Sequence, residues 1–520
     1  MIRTTKCRQR IRASMVRAFT AMPDSIERPL TTALAATARA NTKAGVAFYW
    51  PRRDLAILFA ITIVGTALRL FRIEWWSLSA TEAATWRAVT QPLTSVRGLF
   101  ASEQGLYPLA FLGQRWLFDI GLLPSPGEGW WRVPYVFFGM LTVPLLALVG
   151  RRLVGSAAAL IASGLLALHP WHIEASQTAA PAVVAVWFGV LAAAAAVRVR
   201  VSKTTAWWVS CACLVVMAGA CHPSGWSVGL GLGVVWIVAR WPNLSRRDRY
   251  VALAAATVAA ALVVWFLARF VSTVADETSW LTALGLPTVV LAAFGAMLAP
   301  RAIGVAAVVP IMVVLVARLG VGPVPVDCLL VALPAWILLA AVAGQHWFQA
   351  VQGSLTGAVR GVRLVACFAV FGLGSTLAID TFLQATIYQG QRAPWRKAAQ
   401  SALGLVGMRP GLRVGAGVGA DSLMCYLRPN QWRESVRDPH PGIEVHHLDL
   451  SHPDVALDVL VENGDLLPTV LVLRQDELTA LEASPARVRL RQSFVCERVL
   501  PCQRPLGDET ISVFRQVEGR

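Results

Sequence analysis

Charge is the scarcest property of this 520-residue chain. Only 15% of its residues are Asp, Glu, Lys or Arg, against 56% hydrophobic ones. A soluble domain carries about 25% charged residues, so an ordinary soluble protein is excluded. Acidic residues are fewer than basic ones, 30 against 47. In residues 1–53 the shortage is sharper: 11 Lys/Arg face only Asp24 and Glu27. No CxxC and no Cys/His spacing of the zinc type occurs among the nine cysteines. Cys496 and Cys502 flank a short segment and leave a disulfide open if that part lies outside the cell. No apolar core with a small-residue cleavage site precedes Asp54, so no secretory signal is expected.

What the chain has is apolar length. Runs of about 18 to 22 residues recur from Leu55 to Leu383, enough to cross a hydrocarbon core of about 30 Å. Loop charge orients them, because Lys and Arg stay on the cytoplasmic side. The expected spans fall at about 54–71, 131–149, 155–169, 179–197, 206–221, 225–239, 250–271, 281–299, 302–319, 328–344 and 364–385. Basic clusters such as Arg151/Arg152 and Arg246/Arg247/Arg249 then lie inside, and Asp276/Glu277 lie outside. Leu106–Leu123 is interrupted by Pro108, Gln114, Arg115 and Asp119, which suits a helix lying in the interface. Tryptophans 75, 76, 86, 116, 130, 131 and 171 gather on the outer side as an aromatic belt.

Residues 386–520 change character. They hold 16 basic and 16 acidic residues. Short apolar runs such as Thr469–Leu473 alternate with helical patterns such as Trp395–Leu405, as in a small α/β domain. Gly415-Ala-Gly417-Val-Gly419-Ala420 matches a dinucleotide fingerprint, but only a short strand precedes it, so a glycine-rich strand-to-helix turn is expected.

The expected architecture is therefore a mainly α, polytopic membrane protein with about eleven spans and a C-terminal α/β domain. A basic cytoplasmic tail (1–53) leads into a transmembrane domain (54–385) with an outer loop at 72–130. An extracytoplasmic domain (386–520) follows. The tail would be attracted to anionic lipid headgroups, and nothing else supports nucleic-acid binding. Arg69 and Arg72 end the first span on the outer side, against the charge rule. Ionisable residues so placed are often functional.

Several stretches resemble one family in order and topology. Ser77-Leu-Ser-Ala-Thr81-Glu82-Ala83 matches an S-L-W-x-D-E-A loop. Gly105-Leu-Tyr-Pro108-Leu matches a Pro-containing apolar segment. Trp131-Arg132-Val-Pro134 to Gly139 matches L-R-L-P-S-A-L-F-G, and Gly150-Arg-Arg-Leu-Val-Gly155 matches G-R-R-L-F-G. His169-Pro-Trp-His172-Ile-Glu174-Ala-Ser176-Gln177-Thr178 resembles S-P-F-H-I-x-Y-S-Q-E, and Pro394-Trp-Arg-Lys-Ala-Ala399 resembles W-R-x-A-A. Together they resemble the GT-C membrane glycosyltransferases of the dolichyl-phosphate-mannose–protein mannosyltransferase type. The chain is similar also to aminoarabinose transferases and related bacterial envelope glycosyltransferases.

The resemblance implies transfer of a sugar from a polyprenyl-phosphate donor to a glycan, lipid or protein acceptor outside the cytoplasm. A carboxylate takes the acceptor's proton, and cations, Arg or a divalent metal ion, stabilise the leaving phosphate. It implies an inner-membrane location with membrane lipids as neighbours. The family Asp is Thr81 here, the second-loop Glu is Thr178 and a nearby Arg is Ala180. Glu82 and Glu174 are then the expected catalytic carboxylates. Arg69, Arg72, Arg132, His172, Gln177 and His222 are the expected substrate-binding residues. The alternative is a catalytically degenerate membrane protein on the same fold that binds lipid or glycan or acts in an assembly. Donor sugar, acceptor and metal requirement are left open.

Overall fold

The structure of the protein is a computed structural model. It describes, in large part, residues 50–71, 108–122, 128–202, 204–240, 245–251, 327–352, 394–406, 413–417, 420–427, 443–448, 469–501 and 503–517, with scattered positions in 73–89, 254–261, 292–296 and 304–313. By contact density the chain divides into Met1–Ala56 and Ile57–Arg520. Apart from residues 50–56, the helical and sheet-bearing regions described below fall in the second unit.

Apolar runs become helices. They are α1 (Arg52–Leu70), α2 (Pro108–Asp119), α3 (Glu128–Val154), α4 (Ser156–Leu168), α5 (Pro170–Gln177), α6 (Pro181–Ser202), α7 (Thr205–Cys221) and α8 (Trp226–Arg240). Further along lie α9 (Asp327–Leu330) and α10 (Leu333–Gln352). These helices coincide with the first six expected spans and with the span expected at 328–344, and α2 lies at the expected interfacial segment. Among the described residues two helices, Glu128–Val154 and Pro181–Val199, are long and apolar enough to cross a membrane, or three if α4 and α5 form one bent span. The spans expected at 250–271, 281–299, 302–319 and 364–385 fall mostly or wholly outside the described residues, as do Arg72, Thr81 and the basic tail.

Two backbone details shape this region. Gly155, the last residue of the Gly150–Gly155 stretch, has φ +92°, which an L side chain rarely adopts. It lets α3 turn directly into α4. The second detail is the break between α4 and α5, a bend of 53°. His169 precedes Pro170, and a residue before proline is driven out of the helical region. His169 is accordingly extended, with φ −68° and ψ 118°, and Pro170 starts the next helix. The segment 169–178, expected as a loop, is thus a short helix. It ends on Thr178, with Ala179 left-handed at φ 49° and Ala180 N–H donating to Ala175 O at 3.3 Å. That is a Schellman ending with alanine where glycine is usual.

The core of the helical region is built largely from α3, α4, α6 and α10. It includes Tyr135, Val143, Leu146, Ala162, Leu166, Val183, Leu333 and Ile337. Small residues on these helices let the backbones approach, as membrane helices do.

The C-terminal region is an α/β layer. Helix α11 (Trp395–Val406) precedes β1 (Arg413–Ala416), α12 (Ala420–Leu427) and β2 (Glu444–His447). Then come β3 (Val470–Arg474), α13 (Gln475–Ala483), α14 (Ala486–Ser493), β4 (Phe494–Leu500), the short pair β5 (Gln503–Arg504) and β6 (Gly507–Asp508), and β7 (Ile511–Gln516). The five-stranded sheet has the order β2-β1-β3-β7-β4. Strands β2, β1 and β3 are parallel, and β7 runs antiparallel to β3 and β4.

Side-chain alternation covers both faces. Val470, Val472, Ile511 and Val513 pack with Trp395, Ala402 and Leu423 of α11 and α12. Leu471, Leu473 and Phe514 pack with Leu481 and Leu490 of α13 and α14. The Gly415–Ala420 stretch falls at the turn from β1 to α12, and Ala420 N–H donates to Gly417 O at 3.0 Å. Cys496 is a free thiol, and Cys502 lies outside the described residues.

Candidate functional site

Five of the expected site residues fall into two groups flanking the end of α1: Arg69, His172 and Gln177 in one, and Arg132 and Glu82 in the other. In the first group, Arg69 is fully buried. Its Nη1 donates to Gly65 O at 2.7 Å and Ala167 O at 3.0 Å, and its Nη2 donates to Leu166 O at 3.2 Å. These last two carbonyls belong to the final turn of α4, where a helix leaves its carbonyls short of intrahelical donors; Leu166 O accepts from His169 N as well. Arg69 Nη2 also meets His172 Nδ1 at 2.7 Å. An arginine only donates, so Nδ1 accepts and the imidazole proton sits on Nε2. Among the described residues, His172 Nε2 and Arg69 Nε are buried donors that meet no hydrogen-bond acceptor.

Gln177 closes this group. Its amide nitrogen donates to Leu68 O, Arg69 O and Phe71 O at 3.1–3.2 Å, capping the open end of α1. Gly139 of α3 permits the packing. A Cβ there would lie 2.2 Å from Ser176 Oγ and 3.4 Å from Arg69 Nε.

The second group centres on Arg132, in the first turns of α3 and also fully buried. Its Nε donates to Glu82 Oε1 at 2.8 Å and its Nη2 to Glu82 Oε2 at 3.1 Å. This is a two-pronged carboxylate pair. Nη1 donates to Ile73 O at 2.8 Å and Nη2 to Ser77 O at 3.1 Å. Of the five N–H donors of a guanidinium, these contacts engage four. Arg132 therefore holds Ile73, Ser77 and Glu82 around itself. Phe71 O is held by Gln177 and Ile73 O by Arg132, so the two groups grip one strand of chain at positions two residues apart, at most about 7 Å.

The other expected residues are placed as follows. Glu174 sits on α5 and is half-buried. His222 is buried between α7 and the short 3₁₀ turn Pro223–Gly225. Its Nδ1 accepts from Ser224 N at 3.3 Å and lies 2.7 Å from Ser224 Oγ, so it caps that turn.

A third cluster has no counterpart among the residues expected from the sequence. Glu128 lies four residues before Arg132 on α3, hence on the same helix face. Its Oε1 accepts from Arg396 Nε at 3.0 Å, from Arg396 Nη2, and from the Tyr426 hydroxyl at 2.9 Å. The same hydroxyl accepts from Leu78 N at 2.7 Å, and Arg396 N donates to Ser77 Oγ at 3.1 Å. Burial, followed by the Glu128 charge, raises the Tyr426 phenol well above its ordinary value, so it stays protonated. Burial opposes the Arg396 charge, but Glu128 prevails and raises that group. Arg396 is legible only as part of the Pro394–Ala399 resemblance. Tyr426 and Glu128 carry no local signal.

Among the described residues no group of three His, Cys, Asp or Glu converges, and both Glu82 oxygens are engaged by Arg132.

No protein-family model matches the chain, and no curated protein matches it by sequence. Its fold does match solved structures. It is similar to ArnT from Cupriavidus metallidurans bound to undecaprenyl phosphate, at 14% identity over 89% of this chain and 98% of that one, with a TM-score of 0.51. It is similar also to the Archaeoglobus fulgidus oligosaccharyltransferase in its apo form, at 12% identity over 91% of this chain and 75% of that one, with a TM-score of 0.52. The chain has a GT-C-like fold, and among the described residues two or three of its helical segments are long and apolar enough to cross a membrane.

Proposed function

We propose that the protein is a membrane glycosyltransferase that moves a sugar from a polyprenyl-phosphate carrier to an acceptor outside the cytoplasm. The observation that carries this reading is a GT-C-like fold over about nine-tenths of the chain, shared with ArnT bound to undecaprenyl phosphate. The site is the region around the end of α1, facing away from the cytoplasm, with residues 386–520 on the same side.

The reaction is an in-line displacement. The acceptor oxygen attacks the anomeric carbon, the bond from that carbon to the phosphate oxygen breaks, and the acceptor's proton passes to a carboxylate. The two expected carboxylates are unequal. Glu82 is buried with both oxygens already accepting from Arg132, so it serves as a tether more than as a base. Glu174, half-buried on α5, is the better proton acceptor. The leaving lipid phosphate needs donors. Arg69 Nε and His172 Nε2 are buried donors that lack an acceptor among the described residues, which supports a phosphate contact from this group. Arg72 would join them from the expected outer end of the first span.

One observation favours the second reading, a binding protein on a degenerate fold. Thr81 stands where the family has its Asp, and the remaining Glu82 is tied to Arg132. A transfer assay decides between them, using purified protein in nanodiscs and a panel of polyprenyl-phosphate sugars. Transfer by the wild type, lowered roughly 10²–10⁴-fold in Glu174→Gln, is the expected result. Binding of polyprenyl phosphate without transfer of any sugar overturns the enzyme and leaves the binding protein.

A further inference from the structure

The 73–83 segment is gripped from two directions. From the helical region, Arg132 holds Ile73 O, Ser77 O and both oxygens of Glu82. From the sheet layer, Tyr426 holds Leu78 N, Arg396 N holds Ser77 Oγ, and Cys425 Sγ approaches Ala83 O at 3.9 Å. Glu128 joins the two sides. It shares the first turns of α3 with Arg132, and it accepts from both Tyr426 and Arg396.

The chemistry of Tyr426 makes this grip directional. A phenol has one proton to give and lone pairs to receive with. Here the proton goes to the Glu128 carboxylate and a lone pair receives the Leu78 amide. Each bond polarises the other in the same sense. The hydroxyl is therefore oriented by Glu128, and Glu128 is in turn anchored by Arg396. The fold supplies the position: β1 and the glycine-rich turn deliver α12, whose last turn carries Cys425 and Tyr426 onto the segment.

We infer that Tyr426, oriented by Glu128 and Arg396, is a positioning residue through which the C-terminal layer sets the Ser77–Glu82 segment of the site. Its effect on transfer rests on the glycosyltransferase reading. Its effect on the segment does not.

The test uses the full chain in nanodiscs with two independent readouts. One is amide hydrogen exchange of peptides covering 77–86. The other is kcat and KM for sugar transfer. Tyr426→Phe removes only the hydroxyl. It is expected to speed exchange in 77–83 about five-fold, the scale of one lost hydrogen bond, and to lower kcat about ten-fold with KM within about two-fold. Glu128→Gln keeps an acceptor oxygen for the phenol and is expected to retain more of the protection than Glu128→Ala.

Exchange unchanged from wild type in both Tyr426→Phe and Glu128→Ala overturns the inference, whether or not the protein transfers sugar. Faster exchange with unchanged kcat also overturns it, because the segment would then be held without being used. Faster exchange in a protein that transfers no sugar upholds the grip on the segment and overturns the glycosyltransferase reading instead.

Discussion

Two fully buried arginines stand near helix ends and are stabilised in opposite ways. Arg69 closes α1 and reaches the last turn of α4, so its charge lies at two helix C-termini. Each such terminus carries roughly half a negative charge. The hydrogen bonds of Arg69 run to carbonyls and a neutral imidazole nitrogen. Arg132 lies in the first turns of α3, where the helix dipole repels a cation. It is held by the carboxylate of Glu82. A buried cation in this fold therefore takes its counter-charge from the backbone where the helix direction supplies it. Where the direction opposes it, a carboxylate 50 residues away in sequence supplies it.

Removing Arg132 tests this contrast most severely. Arg132→Ala leaves Glu82 buried without its cation and should destabilise the protein by about 3–5 kcal/mol. Unfolding by SDS titration measures this. Removing both charges, in Arg132→Met with Glu82→Leu, should lose less than Arg132→Ala alone.

Arg69→Met should be milder, at about 2–3 kcal/mol, because it orphans carbonyls and one imidazole nitrogen and leaves no charge behind. A loss larger than that of Arg132→Ala under the same titration would invert the contrast.

Next in size is Gly139→Ala. The new methyl group would sit 2.2 Å from Ser176 Oγ and press on the Arg69 group. A loss of about 1–2 kcal/mol is expected. Adding Ser176→Ala should restore part of it, and no restoration would show that the close approach is not the cause.

The smallest change is a gain. Ala179→Gly relieves a left-handed alanine at the end of α5 and should stabilise by about 0.5–1 kcal/mol. A thermal shift downward would contradict the cap geometry.

Much of the helical region is legible because apolar length is written continuously along the chain. The segments 54–71, 131–149, 179–197 and 206–221 are helices, and so is the interrupted stretch within Leu106–Leu123. The short strand expected before the glycine-rich turn and the apolar run Thr469–Leu473 correspond to β1 and β3. The segment 169–178 reads as a loop because its polar residues suggest exposure. Pro170 at the helix start and the left-handed Ala179 at its end make it a capped turn of helix with most of its side chains buried. Among the site residues, Arg69, Arg132, His172 and Gln177 are legible as polar groups beside apolar spans. Which of them pairs with which is not.

Local sequence is enough to dictate the membrane helices, the basic turn at Arg151–Arg152, the proline break after His169 and the α/β character of the C-terminal region. All of these follow from residues within a few positions of one another. Tertiary packing alone assigns Glu82 to Arg132, sets Gln177 as the cap of α1, and brings Tyr426 to Leu78 from 348 residues away. A charge or hydroxyl carries no local mark of its partner. The pairing arises when burial removes water from both groups and leaves each as the other's available hydrogen-bonding partner.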